Sequence, residues 1–194
     1  MNKALFLDRD GTIIIDKENL FYIKDIKFID GIFDLLLAAK KRSYKIIMVT
    51  NQTIVSRGLQ KYSKMKKINN VILDKINVEI GIKAFDDVFI CPYHPNANVK
   101  KYRFDSYFRK PKPGMLTKAQ IKFNINLSDS LMVGDRKSDI IAGNLAGCKT
   151  VMIKGKFNNS KLIETSLKAN PVLCVPDYKV KNLKEIIHIM DIID

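Results

Sequence analysis

Asp8 and Asp10 stand two residues apart where an apolar run ends in ALFLDRDGT, and Gly11 permits an immediate turn after them. Residues two apart in an extended segment point the same way, so both carboxylates are expected on one side. Held together, they repel each other unless a cation or a shared proton intervenes. A third acid, Asp135, follows another apolar run in SLMVGDR. Three acidic oxygens meeting at one edge suit a hard octahedral cation such as Mg²⁺. Lys110 adds a fixed positive charge. Thr50 and Asn51, at the end of KIIMVTN, add hydrogen bonds for an oxyanion. Together these groups fit phosphoryl transfer. They supply a nucleophilic carboxylate, a second carboxyl to move a proton, a metal, and a cation for the equatorial oxygens.

Elements far apart in sequence must bring these groups together. Continuous apolar runs of strand length occur at 4–7, 45–50, 88–91, 130–134, 150–153 and 171–175. Most do not alternate, which marks strands buried on both faces. Helical spacing fills the gaps. Residues 31–42 place Ile32, Leu35, Leu36 and Ala39 on one face, and 59–80 do the same with Met65, Ile68, Ile72 and Ile76. Residues 114–123 and 138–146 carry two more helices, and 182–193 a last one with Leu183, Ile186, Ile187 and Met190 inward. Strands alternating with helices predict an α/β fold, a Rossmann-like three-layer sandwich with a mostly parallel sheet. Ligands of such sheets bind beyond the carboxyl ends of the strands. Residues 8–12, 50–52 and 134–136 all fall there, and Cys91 opens an excursion that returns at Arg109, Lys110 and Pro111. With no internal repeat and no linker, residues 1–194 are expected to form one domain, the strand and helix of 171–193 packing onto it.

Composition narrows the setting. At 46% hydrophobic and 28% charged, the chain is neither disordered nor fibrous. No apolar run is long enough to span a membrane, and acids arrive too early for a signal peptide. Cys91, Cys148 and Cys174 are too few and too scattered for a disulfide framework, which points to the cytoplasm, with Cys148 and Cys174 as small core residues. The net charge of +14 favours anionic partners. It is densest at 57–67 and 100–112. The charge does not choose among nucleic acid, a small phosphorylated metabolite and an acidic surface, although no aromatic and basic groove with base-stacking spacing speaks for nucleic acid.

The motifs resemble those of the haloacid dehalogenase superfamily: DxDxT in LFLDRDGT, the Thr of VTNQ, the Lys of RKPKPG, and the acidic pair Asp135 and Asp139 of GDRKSD. All four occur in order at strand ends, over roughly residues 3–155. DRDGT, FIDG, VTNQ with Arg57-Gly58, CPYHP, RKPKPGM and GDR are similar to one family within it. These are the small cap-less phosphatases typified by D-glycero-D-manno-heptose 1,7-bisphosphate 7-phosphatase, with the histidinol-phosphate phosphatases beside them.

The resemblance implies roles. Asp8 is the nucleophile, Asp10 the acid and base, and Thr50 and Lys110 are catalytic. Asp8, the backbone carbonyl of Asp10, and Asp135 hold Mg²⁺, with Asp139 secondary. Substrate contacts fall on Asn51, Gln52, Thr53, Arg57, Arg109, Lys110, Arg136, Asp16 and Asn19. Arg57 and Arg109 suit a second phosphate or sugar hydroxyls. The family's structural zinc is not expected here. Cys91 remains, but Tyr93, Ser106 and Phe108 stand where ligands belong, and His94 is one place out of register. Packing by Tyr93, Tyr102, Phe104, Tyr107 and Phe108 must then hold the excursion. Residues 154–170 suggest no function. The expected activity is removal of the 7-phosphate of a heptose 1,7-bisphosphate by a monomeric, Mg²⁺-dependent enzyme in surface polysaccharide precursor synthesis. Histidinol phosphate or another small sugar phosphate, a nucleic-acid 3′-phosphate, and binding without turnover are the alternatives.

Overall fold

The computed structural model describes residues 1–17, 19–154 and 171–193. Most of the stretch read as functionless, and Glu18 between Asp16 and Asn19, lie outside the described residues. The described elements are β1 (Ala4–Leu7), α1 (Ile32–Lys41), β2 (Lys45–Asn51), α2 (Thr53–Ser56), α3 (Tyr62–Ile80), β3 (Asp87–Cys91), α4 (Gly114–Phe123), β4 (Leu131–Gly134), α5 (Lys137–Ala146), β5 (Lys149–Ile153), β6 (Tyr178–Val180) and α6 (Lys184–Ile193).

The six strands run parallel in the order β3-β2-β1-β4-β5-β6. Each strand sends alternate residues to opposite faces. Leu5, Leu7, Ile46, Met48, Leu131 and Val133 meet the buried residues of α1, α3 and α6. Ala4, Phe6, Ile47, Val49 and Met132 meet those of α4 and α5. Both faces are therefore covered, which is why the strand sequences read as unbroken apolar runs. The apolar stripes expected on α1 and α3 are buried. On α6 the buried set includes Ile189 as well, while Ile187 is only partly covered.

One strand differs from expectation. Residues 171–174 form a 3₁₀ turn, and β6 is Tyr178–Val180. The PVLCV run opens on a proline, which lacks a ladder donor. Val172 and Val175 are largely exposed, and Cys174 belongs to no core cluster. Cys148 is buried as expected, and burial pushes its thiol up to about 12.

Leu7 lies beside Met48 on one side and Val133 on the other, so β1 and β4 end at nearly the same height while β2 runs on to Asn51. The order of strands reverses direction at β1 and β4, where a crevice opens. Between β1 and α1 the described regular structure is one 3₁₀ turn, Ile23–Asp25, and between β3 and α4 another, Lys100–Tyr102. Neither connection carries a cap domain among the described residues.

Candidate active site

Asp8 follows β1 directly, and its backbone N–H donates to the Val133 carbonyl at 3.1 Å. Asp135 and Asp139 follow β4, Asp139 sitting in the first turn of α5. The carboxylates of Asp8, Asp135 and Asp139 lie within 4.8 Å of one another, and all three are buried. Lys110 reaches in from the excursion. Its Nζ donates to Asp8 Oδ1 and to the Val49 carbonyl, both at 2.8 Å, and lies 2.6 Å from Asp139 Oδ1. Burial alone would lower the Lys110 ammonium, but Asp139 and Asp8 outweigh it and raise it. Asp8 is raised by burial, against the attraction of Lys110, and Asp139 adds to the rise. Burial, then Asp8 and Asp139, hold Asp135 at about 7.

Three buried carboxylates face one lysine, an excess of negative charge that a hard divalent cation would neutralise. Asp135 Oδ1 is buried without a hydrogen-bond partner. Asp139 turns one oxygen to Lys110, and its Oδ2 accepts the Arg136 backbone N–H at 3.0 Å. Asp8 and Asp135 are thus the better placed ligands, with Asp139 as the counter-charge of Lys110. The residues present fit a Mg²⁺ ion.

The expected trio was Asp8, Asp10 and Asp135; the side chains that converge are Asp8, Asp135 and Asp139. The strand has ended before Asp8, and the chain turns at once, with Ile13 and Ile14 N–H both donating to the Arg9 carbonyl. Asp10 therefore takes partners of its own. Arg9 grips it through Nε at 3.1 Å and Nη2 at 2.8 Å, and Gln52 Nε2 donates to it at 3.0 Å. Only the backbone carbonyl of Asp10 is left for the metal role that the resemblance implies.

The turn itself requires Gly11. Its φ is +82°, and a Cβ there would lie 2.1 Å from Asp135 Oδ2. Gly11→Ala is expected to cost about 1–3 kcal/mol from backbone strain alone. It should also displace Asp135, so that a thermal melt shows a lower Tm and no Mg²⁺-induced rise. A normal Mg²⁺ response would contradict this placement.

The raised Asp135 carboxyl has a sign that can be tested. Between its ordinary 3.8 and about 7, the folded metal-free protein keeps a proton that the unfolded chain has lost. The stability this gives is complete at low pH and is lost as pH rises through that window. One pKa unit corresponds to about 1.4 kcal/mol, so the loss reaches a few kcal/mol at most. The Tm of the metal-free protein should fall from pH 5 to pH 8. The Mg²⁺-induced rise should grow over the same interval, since the metal displaces the proton. A flat profile in both would refute it.

The other candidates line the crevice. Thr50 is buried, its Oγ1 accepting from Gln52 Nε2 at 2.8 Å. Asn51 is committed to Lys110. It donates to the Lys110 carbonyl at 2.9 Å and accepts the Lys110 N–H at 3.1 Å, which fixes the backbone that carries the lysine. A small polar cleft is lined by Asp10, Asp16, Asn19, Gln52, Thr53 and Arg136 among others. Arg136 donates to Asp16 at 2.7 Å, tying the loop after β1 to the end of β4. Burial works against the Arg136 charge, but the Asp16 bond holds it above its ordinary range.

Arg57 and Arg109 stand apart from that cleft, beside the excursion. Arg57 is exposed at the end of α2, and Arg109 Nη1 donates to the Tyr93 carbonyl at 3.2 Å. The packing expected to hold the excursion is only partly present: Tyr93 and Tyr102 pack against the core, but Phe104, Tyr107 and Phe108 are exposed. Tyr93 stacks near Tyr102 and edge-on to Phe104, with centroids 6.0 and 6.1 Å away, and Tyr107 meets Phe108. Cys91 is buried, its thiol raised by burial and held between the Tyr93 carbonyl and Ser106. The residues here do not fit a four-ligand zinc site.

Sequence reasoning passed over Arg9 and Asn69. Arg9 is buried, and its Nη1 donates to Asn69 Oδ1 at 2.7 Å, so α3 anchors the residue that holds Asp10. The one signal was an amide, Asn69, in line with the apolar face of α3.

A parallel sheet of this order, with acids after its first and fourth strands and a lysine reaching between them, defines a hydrolase of the HAD-like class. The HAD-hydrolase-like family model matches residues 107–186. D-glycero-alpha-D-manno-heptose-1,7-bisphosphate 7-phosphatase of Burkholderia mallei is 41% identical over 152 residues, 78% of this chain and 79% of that protein. The D-glycero-beta-D-manno-heptose-1,7-bisphosphate 7-phosphatase of Photorhabdus laumondii is 36% identical over 160 residues, 81% and 84% of the two chains. The structure of D,D-heptose 1,7-bisphosphate phosphatase from B. bronchiseptica, complexed with magnesium and phosphate, superposes with a TM-score of 0.76 at 20% identity, covering 98% of each chain. The chain belongs to the heptose-1,7-bisphosphate phosphatase family of the HAD-like hydrolases.

Proposed function

We propose that this chain is a Mg²⁺-dependent phosphomonoesterase that removes the 7-phosphate of D-glycero-D-manno-heptose 1,7-bisphosphate. The observation that carries the reading is the buried cluster of Asp8, Asp135, Asp139 and Lys110 at the carboxyl edge of the sheet. Asp8 attacks phosphorus, the bond to the sugar oxygen breaks, and Asp10 gives that oxygen its proton. Asp10 then takes a proton from water, whose oxygen attacks the aspartyl-phosphate, releasing inorganic phosphate and restoring Asp8. Lys110 and Thr50 stabilise the transferring phosphoryl oxygens. Asp8, Asp135 and the Asp10 carbonyl would hold Mg²⁺, which when bound screens the phosphate charge from the nucleophile.

Gln52, Thr53, Asp16, Asn19 and Arg136 face the sugar, and Asn51 acts by fixing Lys110. Arg57 and Arg109 take the second phosphate. The enzyme works as a single-domain monomer in the cytoplasm, where surface polysaccharide precursors are made; no helix among the described residues is long and apolar enough to cross a membrane.

Relatives carry names with either anomer, so the assay must hold both. Phosphate release with Mg²⁺ is measured on alpha and beta heptose 1,7-bisphosphate, histidinol phosphate and a 3′-phosphorylated oligonucleotide. Preference for a heptose bisphosphate supports the reading. Turnover of only the oligonucleotide or histidinol phosphate moves the substrate, and phosphate-ligand binding without turnover makes the protein a binder.

A further inference from the structure

The excursion brings one more polar side chain to the two arginines. His94 lies on its first arm, Arg109 on its second, and Arg57 at the end of α2. The arm is docked against α2: Val99 N–H donates to the Ser56 carbonyl at 3.0 Å, and Asn98 Nδ2 to the Arg57 carbonyl at 3.4 Å. The His94 N–H donates to the Tyr102 carbonyl at 3.1 Å, which closes the arm on itself. Asn96 N–H donates to His94 Nδ1 at 3.0 Å. With Nδ1 accepting, the proton of the neutral ring sits on Nε2, which is free to donate.

The three groups are close enough to feel one another. Burial lowers His94, and Arg109 and Arg57 lower it further. Burial lowers Arg109, and Arg57 and then Arg136 lower it further, against the opposing pull of Cys91 and Asp105, neither of which forms an ion pair with it among the described residues. Like charges gathered in this way are unfavourable without an anion. Other basic groups of the site have acids: Arg9 has Asp10, Arg136 has Asp16, and Lys110 has Asp8 and Asp139. Among the described residues Arg57, His94 and Arg109 form no ion pair, and Arg109 Nε is buried without a hydrogen-bond partner. An anion of two or more charges would satisfy all three.

We propose that His94 joins Arg57 and Arg109 in a second anion site that grips the phosphate which is not hydrolysed, making His94 a specificity-determining residue for bisphosphorylated substrates. The inference rests on the sugar-phosphatase reading for its substrate and for the two arginines, to which it adds His94, and its geometry lies apart from the Asp8 cluster. His94→Asn is the suitable variant, because its side-chain oxygen can still accept the Asn96 N–H while the Nε2 donor is gone. A hydrogen bond to a charged group corresponds to about tenfold or more in affinity.

Two readouts keep the inference separate from the reading it rests on. The first is the ratio of kcat/KM for heptose 1,7-bisphosphate to that for heptose 7-phosphate. It should fall about tenfold in His94→Asn, chiefly through KM. A proportional fall for both substrates would overturn the proposal. The second is imidazole NMR of the Asp8→Asn protein, which has only two histidines to assign. Adding the bisphosphate should shift the His94 ring signals, and adding the 7-monophosphate should not. Equal response to both, or none to either, would overturn it. If no heptose phosphate is turned over but the bisphosphate still shifts His94, the anion site stands and the assigned reaction falls.

Discussion

The Asp8→Asn protein is expected to fold and to release phosphate at least about 10⁴-fold more slowly than the native enzyme. Asn is nearly isosteric with Asp but has no anionic oxygen to attack phosphorus. The fold should tolerate it. Asp8 is one of three buried carboxylates, and Lys110 keeps Asp139 at 2.6 Å and the Val49 carbonyl at 2.8 Å. Removing one negative charge relieves repulsion with Asp135 and Asp139. The metal-free Tm should therefore hold steady or rise, while the Mg²⁺-induced rise shrinks because one ligand has become neutral. Residual turnover within tenfold of the native rate would contradict the assignment of Asp8.

Lys110→Met should damage stability and activity together. Met fills a similar volume, so the change isolates the charge. Without Nζ, Asp8 and Asp139 lose the one lysine ion-paired with them among the described residues, and removing one partner of a buried pair costs about 3–5 kcal/mol. The carboxylates can respond by taking protons. The stability loss, read from urea or thermal unfolding, should be greatest near pH 8 and shrink as pH falls towards the ordinary carboxylate value of 3.8. Mg²⁺ should recover part of the stability at pH 8, since it supplies positive charge to the same oxygens. It should not recover turnover, which also needs a cation on the transferring phosphoryl group. Native-like stability of the metal-free variant at pH 8 would refute the account of the cluster.

The layers of the fold were legible because buried parallel strands leave a simple trace. ALFL and KIIMVT read as continuous apolar runs since both faces of the sheet are covered. PVLCV left the same trace and misled, because apolar content says nothing about ladder donors; the real sixth strand, Tyr178–Val180, is too short and too polar to show. Acids at strand ends pointed to Asp8 and Asp135. The choice between Asp10 and Asp139 as the third converging side chain was hidden, because it depends on how sharply the chain turns at Gly11 and how α5 begins. Arg9 was invisible for a related reason: a charged residue in a motif gives no sign that an amide on α3 will receive it.

The most direct test of the central claim is acid-quenched mass spectrometry of a single turnover of heptose 1,7-bisphosphate in Mg²⁺. The account predicts one phosphoryl group on the peptide that contains Asp8, appearing before free phosphate and absent from Asp8→Asn. Free phosphate formed with no phosphorylated peptide at any time, or with the group on another residue, would contradict it.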